Sequence, residues 1–179
     1  FVDPDRRGVL PLDEFHMPRS LKKTIKRGIF EIRCDTAFAE VLVGCAESTP
    51  TRKDTWINPE IERLYNQLYR LGFAHSVETW RDGKLVGGLY GVAVGRMFYG
   101  ESMFSRASNA SKVALAYLST QLARWEFPLI DCQLPTPHLE SLGATPMARA
   151  VFLAQVRDAA ARPDVPAPWQ FDADVVADL

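Results

Sequence analysis

Apolar positions recur at two different periods along the chain, and the changes between them mark out its elements. From Pro59 to Leu71, Ile61, Leu64, Leu68 and Leu71 follow helical spacing, and Gly72 supplies a stop. Upstream, Pro18 suits a first helical turn and Gly28 a stop. A short helix is predicted over roughly 18–27, and a second from Thr36 to Ala46. Beyond Gly72 the period becomes two. His75 to Trp80 alternates as a strand does, Asp82-Gly83 is a hairpin signal, and Leu85–Val94 and Met97–Met103 read as two more strands joined near Gly95. The helical period returns from Ala110 to Trp125, with Val113, Ala114, Tyr117, Leu118, Gln121 and Leu122 near one face. A strand over Leu129–Gln133, a short helix over His138–Leu142 and a last helix over about Met147–Ala161 complete the regular elements. Residues 1–17 read as an extended lead-in, 47–55 as an exposed polar loop, and the proline-rich, acidic stretch after Pro163 as irregular.

Three antiparallel strands, a long helix, a strand and a helix predict an α+β fold, a mixed sheet flanked by helices. This order is similar to that of the GCN5-related acyltransferases, a likeness that on its own says little about chemistry. Apolar residues make up 47% of the 179, enough for a real core in one domain with a small appendage. The formal net charge is −1, so attraction to a polyanion must come from local clustering. Cys34, Cys45 and Cys132 are odd in number and show no CxxC spacing, which fits reduced thiols rather than a disulfide framework or a zinc site. His16, His75 and His138 are too scattered for a metal site, so no metal is expected. No apolar run approaches the ~20 residues of a membrane span and no signal peptide is visible. A cytoplasmic location is expected.

Four segments carry candidate chemistry. Arg19, Lys22, Lys23, Lys26 and Arg27 share one helical face, which is either a solvated surface or a footprint for phosphates. Gly100–Arg106 ends a strand, with Glu101 and Met103 facing one way; this is either a paired surface carboxylate or one wall of an apolar pocket with a polar group. Asp131 and Gln133 share a strand face with Cys132 opposite, so the aspartate either bonds a nearby turn or works with the amide on an incoming amine. Trp56 follows the polar loop and either packs on the sheet or stacks on a base.

The segments HMPRS (16–20), TWI (55–57), GFAHSVE (72–78), LVGGLYGVA (85–93), GESMFSR (100–106), ASK (110–112), LIDCQ (129–133) and HLESLGA (138–144) come in the order found in leucyl/phenylalanyl-tRNA–protein transferases. The chain resembles that family up to about Leu153. The resemblance implies an acyltransferase-like catalytic domain over 18–162, with 1–17 a remnant of an N-terminal region and 163–179 an irregular tail. It implies transfer of Leu or Phe, and Met less well, from aminoacyl-tRNA to proteins beginning with Arg or Lys, which marks them for degradation by the N-end rule. By resemblance, Glu101, Asp131 and Gln133 match the family's active-site polar residues. Leu89, Phe98, Met103, Leu115, Leu118, Leu122 and Ile130 match its aminoacyl pocket, and Trp56 a tryptophan that holds the terminal adenosine. Arg19, Lys23, Lys26 and Arg27 match its tRNA-binding cluster, to which Lys22 is added by spacing. Leu89 and Leu118 stand where some relatives carry methionine and phenylalanine. Because the ester is already activated, no cofactor is expected; a monomer is expected. The rival expectations are an acyl-CoA-dependent N-acetyltransferase, disfavoured by the absence of glycine in Ser105–Ser111, and a non-catalytic tRNA- or N-degron-binding module.

Overall fold

The computed structural model describes residues 4–50, 53 and 55–179. Residues 1–3 of the expected lead-in and positions 51, 52 and 54 of the expected loop lie outside this set. The frame is one mixed sheet of β1 (Arg6–Pro11), β2 (Glu31–Cys34), β3 (Ala74–Arg81), β4 (Lys84–Val94), β5 (Met97–Ser105), β6 (Leu129–Gln133) and β7 (Thr145–Ala148). Their order is β2-β3-β4-β5-β6-β1-β7, and only β5 and β6 are parallel neighbours. The α+β architecture predicted from the periods is present, with three strands added. The added strands are four to six residues long and find their partners far along the chain. β1 lies inside the sheet, paired with β6 on one side and β7 on the other. No local signal separates it from an extended lead-in. The β3–β4 connection is the expected two-residue hairpin, with Asp82 and Gly83 at φ 51° and 73°.

One face of the sheet carries α1 (Arg19–Lys26) and α4 (Ala110–Arg124). The other carries α2 (Phe38–Ala46) over β3, β4 and β5, α3 (Pro59–Arg70) over β3, and α6 (Arg149–Ala160) over β1, β5 and β6. A short helix, α5 (Pro137–Ser141), follows β6. Asn58 caps α3 by accepting from the Ile61 N–H at 2.9 Å, Pro59 sits in its first turn, and Gly72 ends it at φ +85°.

Two helices bury faces other than those expected. Leu64 of α3 and Leu71 at its C-cap are 48% and 70% exposed, while Ile61, Tyr65, Leu68 and Tyr69 pack inward. The amphiphilic tyrosines carry the buried face, so counting leucines rotates the helix. α4 is buried almost all round rather than along one stripe. The C-terminal segment covers its outer side: Gln121 donates to Asp172 Oδ2 at 3.2 Å and accepts from the Asp172 N–H at 2.7 Å, and Arg124 pairs with Asp172, Asp174 and Asp178.

Candidate active site

β5 and β6 pair only where Phe98 and Tyr99 face Ile130 and Asp131. Beyond that point each strand carries an extra residue. Gly100 pairs with Gly91 and Ser102 with Tyr90, so Glu101 is the inserted residue of a bulge. Asp131 pairs with Val9 and Gln133 with Gly8, which makes Cys132 the inserted residue on β6. A bulge bends its strand and re-aims side chains. Phe98 and Met103, five positions apart, thereby share a face that strict alternation would deny them.

Between these strand ends and α4 lies an apolar cavity of about 340 Å³. Leu89, Phe98, Met103, Leu115, Leu118 and Ile130 line it, six of the seven positions the resemblance implies. Leu122, one turn further along α4, is fully buried in the core and is not on the wall. Cys132, Thr136, His138 and Leu139 close the side toward α5. Burial pushes the Cys132 thiol up to about 12, so it is a thiol and a poor nucleophile at neutral pH. Burial, with help from Lys112, lowers His138 from its ordinary value, so its ring is neutral there.

The polar end of the cavity is built around Glu101. Burial raises its carboxyl above the usual range; hydrogen bonds from Tyr65 and Gln133 oppose that rise, while the nearby Asp131 charge adds to it. The Gln133 Nε2 donates to Glu101 Oε2 at a long 3.5 Å. Tyr65, from α3 on the opposite face of the sheet, reaches Glu101 with its hydroxyl. Its ring meets Tyr90 edge-on at 5.2 Å and Trp56 at 6.0 Å. Trp56 is 50% exposed and stands beside this group. Tyr65 was not legible as a site residue, because a tyrosine on an amphipathic helix carries no chemical signature until its partner is known.

Asp131 and Gln133 do not share a face in the simple way expected. Ile130 and Cys132 point into the cavity, and Asp131 points away, 1% exposed, onto the guanidinium of Arg7. It reaches Gln133 through the backbone: its Oδ1 accepts the Gln133 N–H at 2.8 Å. Gln133 has φ +61°, and this left-handed turn swings its carboxamide back toward Glu101.

On the cavity's side of the sheet, α1 packs through Leu21 and Ile25 into the core that contains α4. Arg19, Lys22, Lys23, Lys26 and Arg27 are all exposed and form no ion pair among the described residues. Among the described residues no group of three His, Cys, Asp or Glu side chains is arranged to hold a metal, and no helix is long and apolar enough to cross a membrane.

A profile of the leucyl/phenylalanyl-tRNA protein transferases matches residues 9–157. A leucyl/phenylalanyl-tRNA–protein transferase of Thiobacillus denitrificans is 54% identical over 169 residues, 94% of this chain and 74% of that protein. One of Rhizorhabdus wittichii is 56% identical over 154 residues, covering 86% and 62%. Among solved structures, L-PGS from Bacillus licheniformis aligns with a TM-score of 0.55 at 11% identity, covering 89% of this chain and 66% of that one, a likeness of fold alone. The profile spans the cavity, the Glu101–Gln133 end and the basic helix together, and the chain belongs to the leucyl/phenylalanyl-tRNA–protein transferase family.

Proposed function

We propose that the chain transfers leucine or phenylalanine, and methionine less well, from aminoacyl-tRNA to the α-amino group of proteins beginning with Arg or Lys, marking them for degradation. The observation that carries this reading is a cavity whose aliphatic and aromatic walls end at Glu101, the carboxylate that the Gln133 amide reaches. Apolar walls suit the aminoacyl side chain, and the few convergent polar groups suit the ester and the amine. The half-exposed indole of Trp56 suits the terminal adenine, and the exposed cations of α1 suit the tRNA backbone. We place the catalytic unit in residues 18–162 completed by β1, acting as a cytoplasmic monomer.

The reaction needs little beyond alignment. A free α-amine has a pKa of roughly 7.7–8.0, so a useful fraction is neutral in the cell. Its nitrogen attacks the ester carbonyl, the carbon–nitrogen bond forms, and the bond to the ribose oxygen breaks. The proton lost by nitrogen ends on that oxygen. Holding the two reactants together supplies much of the rate. Asp131 fixes the Gln133 backbone, and Gln133 with Glu101 orients the amine. Glu101 also suits the cationic first side chain of the acceptor, or the ribose. A protonated Cys132 makes direct transfer the economical route, without an acyl-enzyme.

Leu-tRNA incubated with the protein and a peptide beginning with Arg should add the mass of one leucyl residue to the peptide. Mass gain from acetyl-CoA instead would establish an acetyltransferase, and tRNA binding without any gain a non-catalytic module. Reversing Lys23, Lys26 and Arg27 together should weaken tRNA binding roughly 10- to 100-fold and flatten its salt slope by about three. An unchanged slope would return that helix to an ordinary solvated surface.

A further inference from the structure

We infer that Arg7 is a positioning residue for transfer: through Asp131 it holds Gln133 in the conformation the reaction uses, an inference that rests on the reading of Asp131 and Gln133 given above. Arg7 lies on β1, more than 120 residues from its partner in sequence. Its Nε donates to Asp131 Oδ1 at 2.8 Å and its Nη2 to Oδ2 at 2.7 Å. The pair is 11% and 1% exposed, and the guanidinium lies over the Phe152 ring at 5.3 Å. A planar fork matched to both oxygens fixes the plane of the carboxylate as well as its charge, which the point charge of a lysine cannot do.

That plane matters because Oδ1 has a second task. The same oxygen that receives Arg7 Nε accepts the Gln133 N–H. Gln133 is at φ +61°, and the Leu134 N–H closes back on the Cys132 carbonyl at 2.7 Å. A turn closed over three residues with its centre at positive φ is rare and strained, and persists only when its surroundings hold it. β1 supplies two of the holds. Arg7 clamps the carboxylate, and Gly8 lets the following peptide approach: a Cβ on Gly8 would lie 2.4 Å from Pro135 N and 2.6 Å from the Leu134 carbonyl carbon. A buried ion pair adds little net stability compared with a well-packed apolar pair. Its placement at the strand end that carries Gln133 is therefore better explained by orientation than by stability.

The test compares Arg7→Ala, Arg7→Lys and Asp131→Asn in single-turnover transfer from Leu-tRNA, with near-UV circular dichroism confirming the fold. Arg7→Ala should slow transfer by about 10- to 100-fold, leave KM for Leu-tRNA within about twofold because the cavity and Trp56 are untouched, and regain rate with added guanidinium ion. Sodium chloride at equal ionic strength should not rescue it, and guanidinium should not rescue Asp131→Asn. Arg7→Lys should restore only part of the rate, for want of the fork. A folded Arg7→Ala at parental rate, with Asp131→Asn impaired, overturns the inference and leaves the Asp131 reading standing. Parental rate in Asp131→Asn overturns both. If Arg7→Ala does not fold, Arg7→Lys decides, and parental rate there overturns the inference.

Discussion

Carboxylates are taken out of water at two places on this one sheet, Asp35 and Glu78 fully and Glu101 partly, and the two places are finished to different degrees. In the first, Glu78 accepts from Thr36 through both its N–H and hydroxyl, from the Ala37 N–H and from the Ser76 hydroxyl. Asp35 accepts from His75 Nδ1 at 2.7 Å, the Ser76 N–H at 3.0 Å and the Trp169 N–H at 2.7 Å, and the Trp169 ring stacks on His75 at 3.6 Å. Donors from β3, the start of α2 and the C-terminal segment saturate both groups. In the second, Glu101 has one tyrosine hydroxyl and one distant amide and opens onto a cavity. A saturated buried network is stiff and holds elements together. An undersaturated one keeps capacity for a ligand, and its raised carboxyl records the cost. The first cluster ties α2 and the tail to the sheet, and the second is where chemistry can happen.

The sharpest way to break this comparison is to neutralise one carboxylate of each cluster. Glu101→Gln should cut transfer about 100- to 1000-fold with Tm unchanged or higher. The sign follows from the raised carboxyl: what the neutral form gains in the fold is lost as pH rises through the folded value, and glutamine keeps it. Glu78→Gln should do the opposite. An amide set among four donors should cost about 2–3 kcal/mol, roughly 5–10 °C in Tm, with the transfer rate per folded molecule unchanged. Equal behaviour of the two variants in paired melts and transfer assays would dissolve the distinction.

A smaller effect sharpens the claim that the second cluster serves a cavity. Leu118→Val lengthens the cavity by one methylene at a cost of about 1 kcal/mol. It should raise the preference for Phe over Leu about 5-fold, roughly 1 kcal/mol and the low end of what one methylene is worth. A constant ratio in competition assays would take Leu118 off the substrate wall. The smallest expected change is Tyr65→Phe. The Tyr65 hydroxyl favours the ionised Glu101, so its loss should move the acid limb of the pH–rate profile to higher pH. A limb that stays put would show that Glu101 ionisation does not govern the rate.

How far the chain could be read in advance varied with the range of the interactions. The β3–β4–β5 meander was legible because alternation and Asp82-Gly83 are neighbours in sequence. The α3 cap was legible for the same reason, since Asn58 and Pro59 act within one turn. The helical period of α4 was visible, but its burial on all sides was not, because Asp172 and Trp169 lie some 50 residues downstream. In the site, Glu101, Asp131 and Gln133 stood out through their strand positions and the resemblance, whereas Tyr65 and Arg7 did not. Each of those two makes its contact across more than 30 intervening residues, and neither alters any local pattern.

Local chemistry alone therefore set the periods, the caps, the hairpin and the single-signed face of α1, since these depend on residues within a turn or a strand of one another. The bulges at Glu101 and Cys132, the slot for β1 between β6 and β7, and the left-handed Gln133 were decided by the assembled sheet. A bulge exists only relative to a partner strand. A strained turn persists only where a clamp such as Arg7–Asp131 and a close approach such as Gly8 are brought to it from elsewhere in the chain.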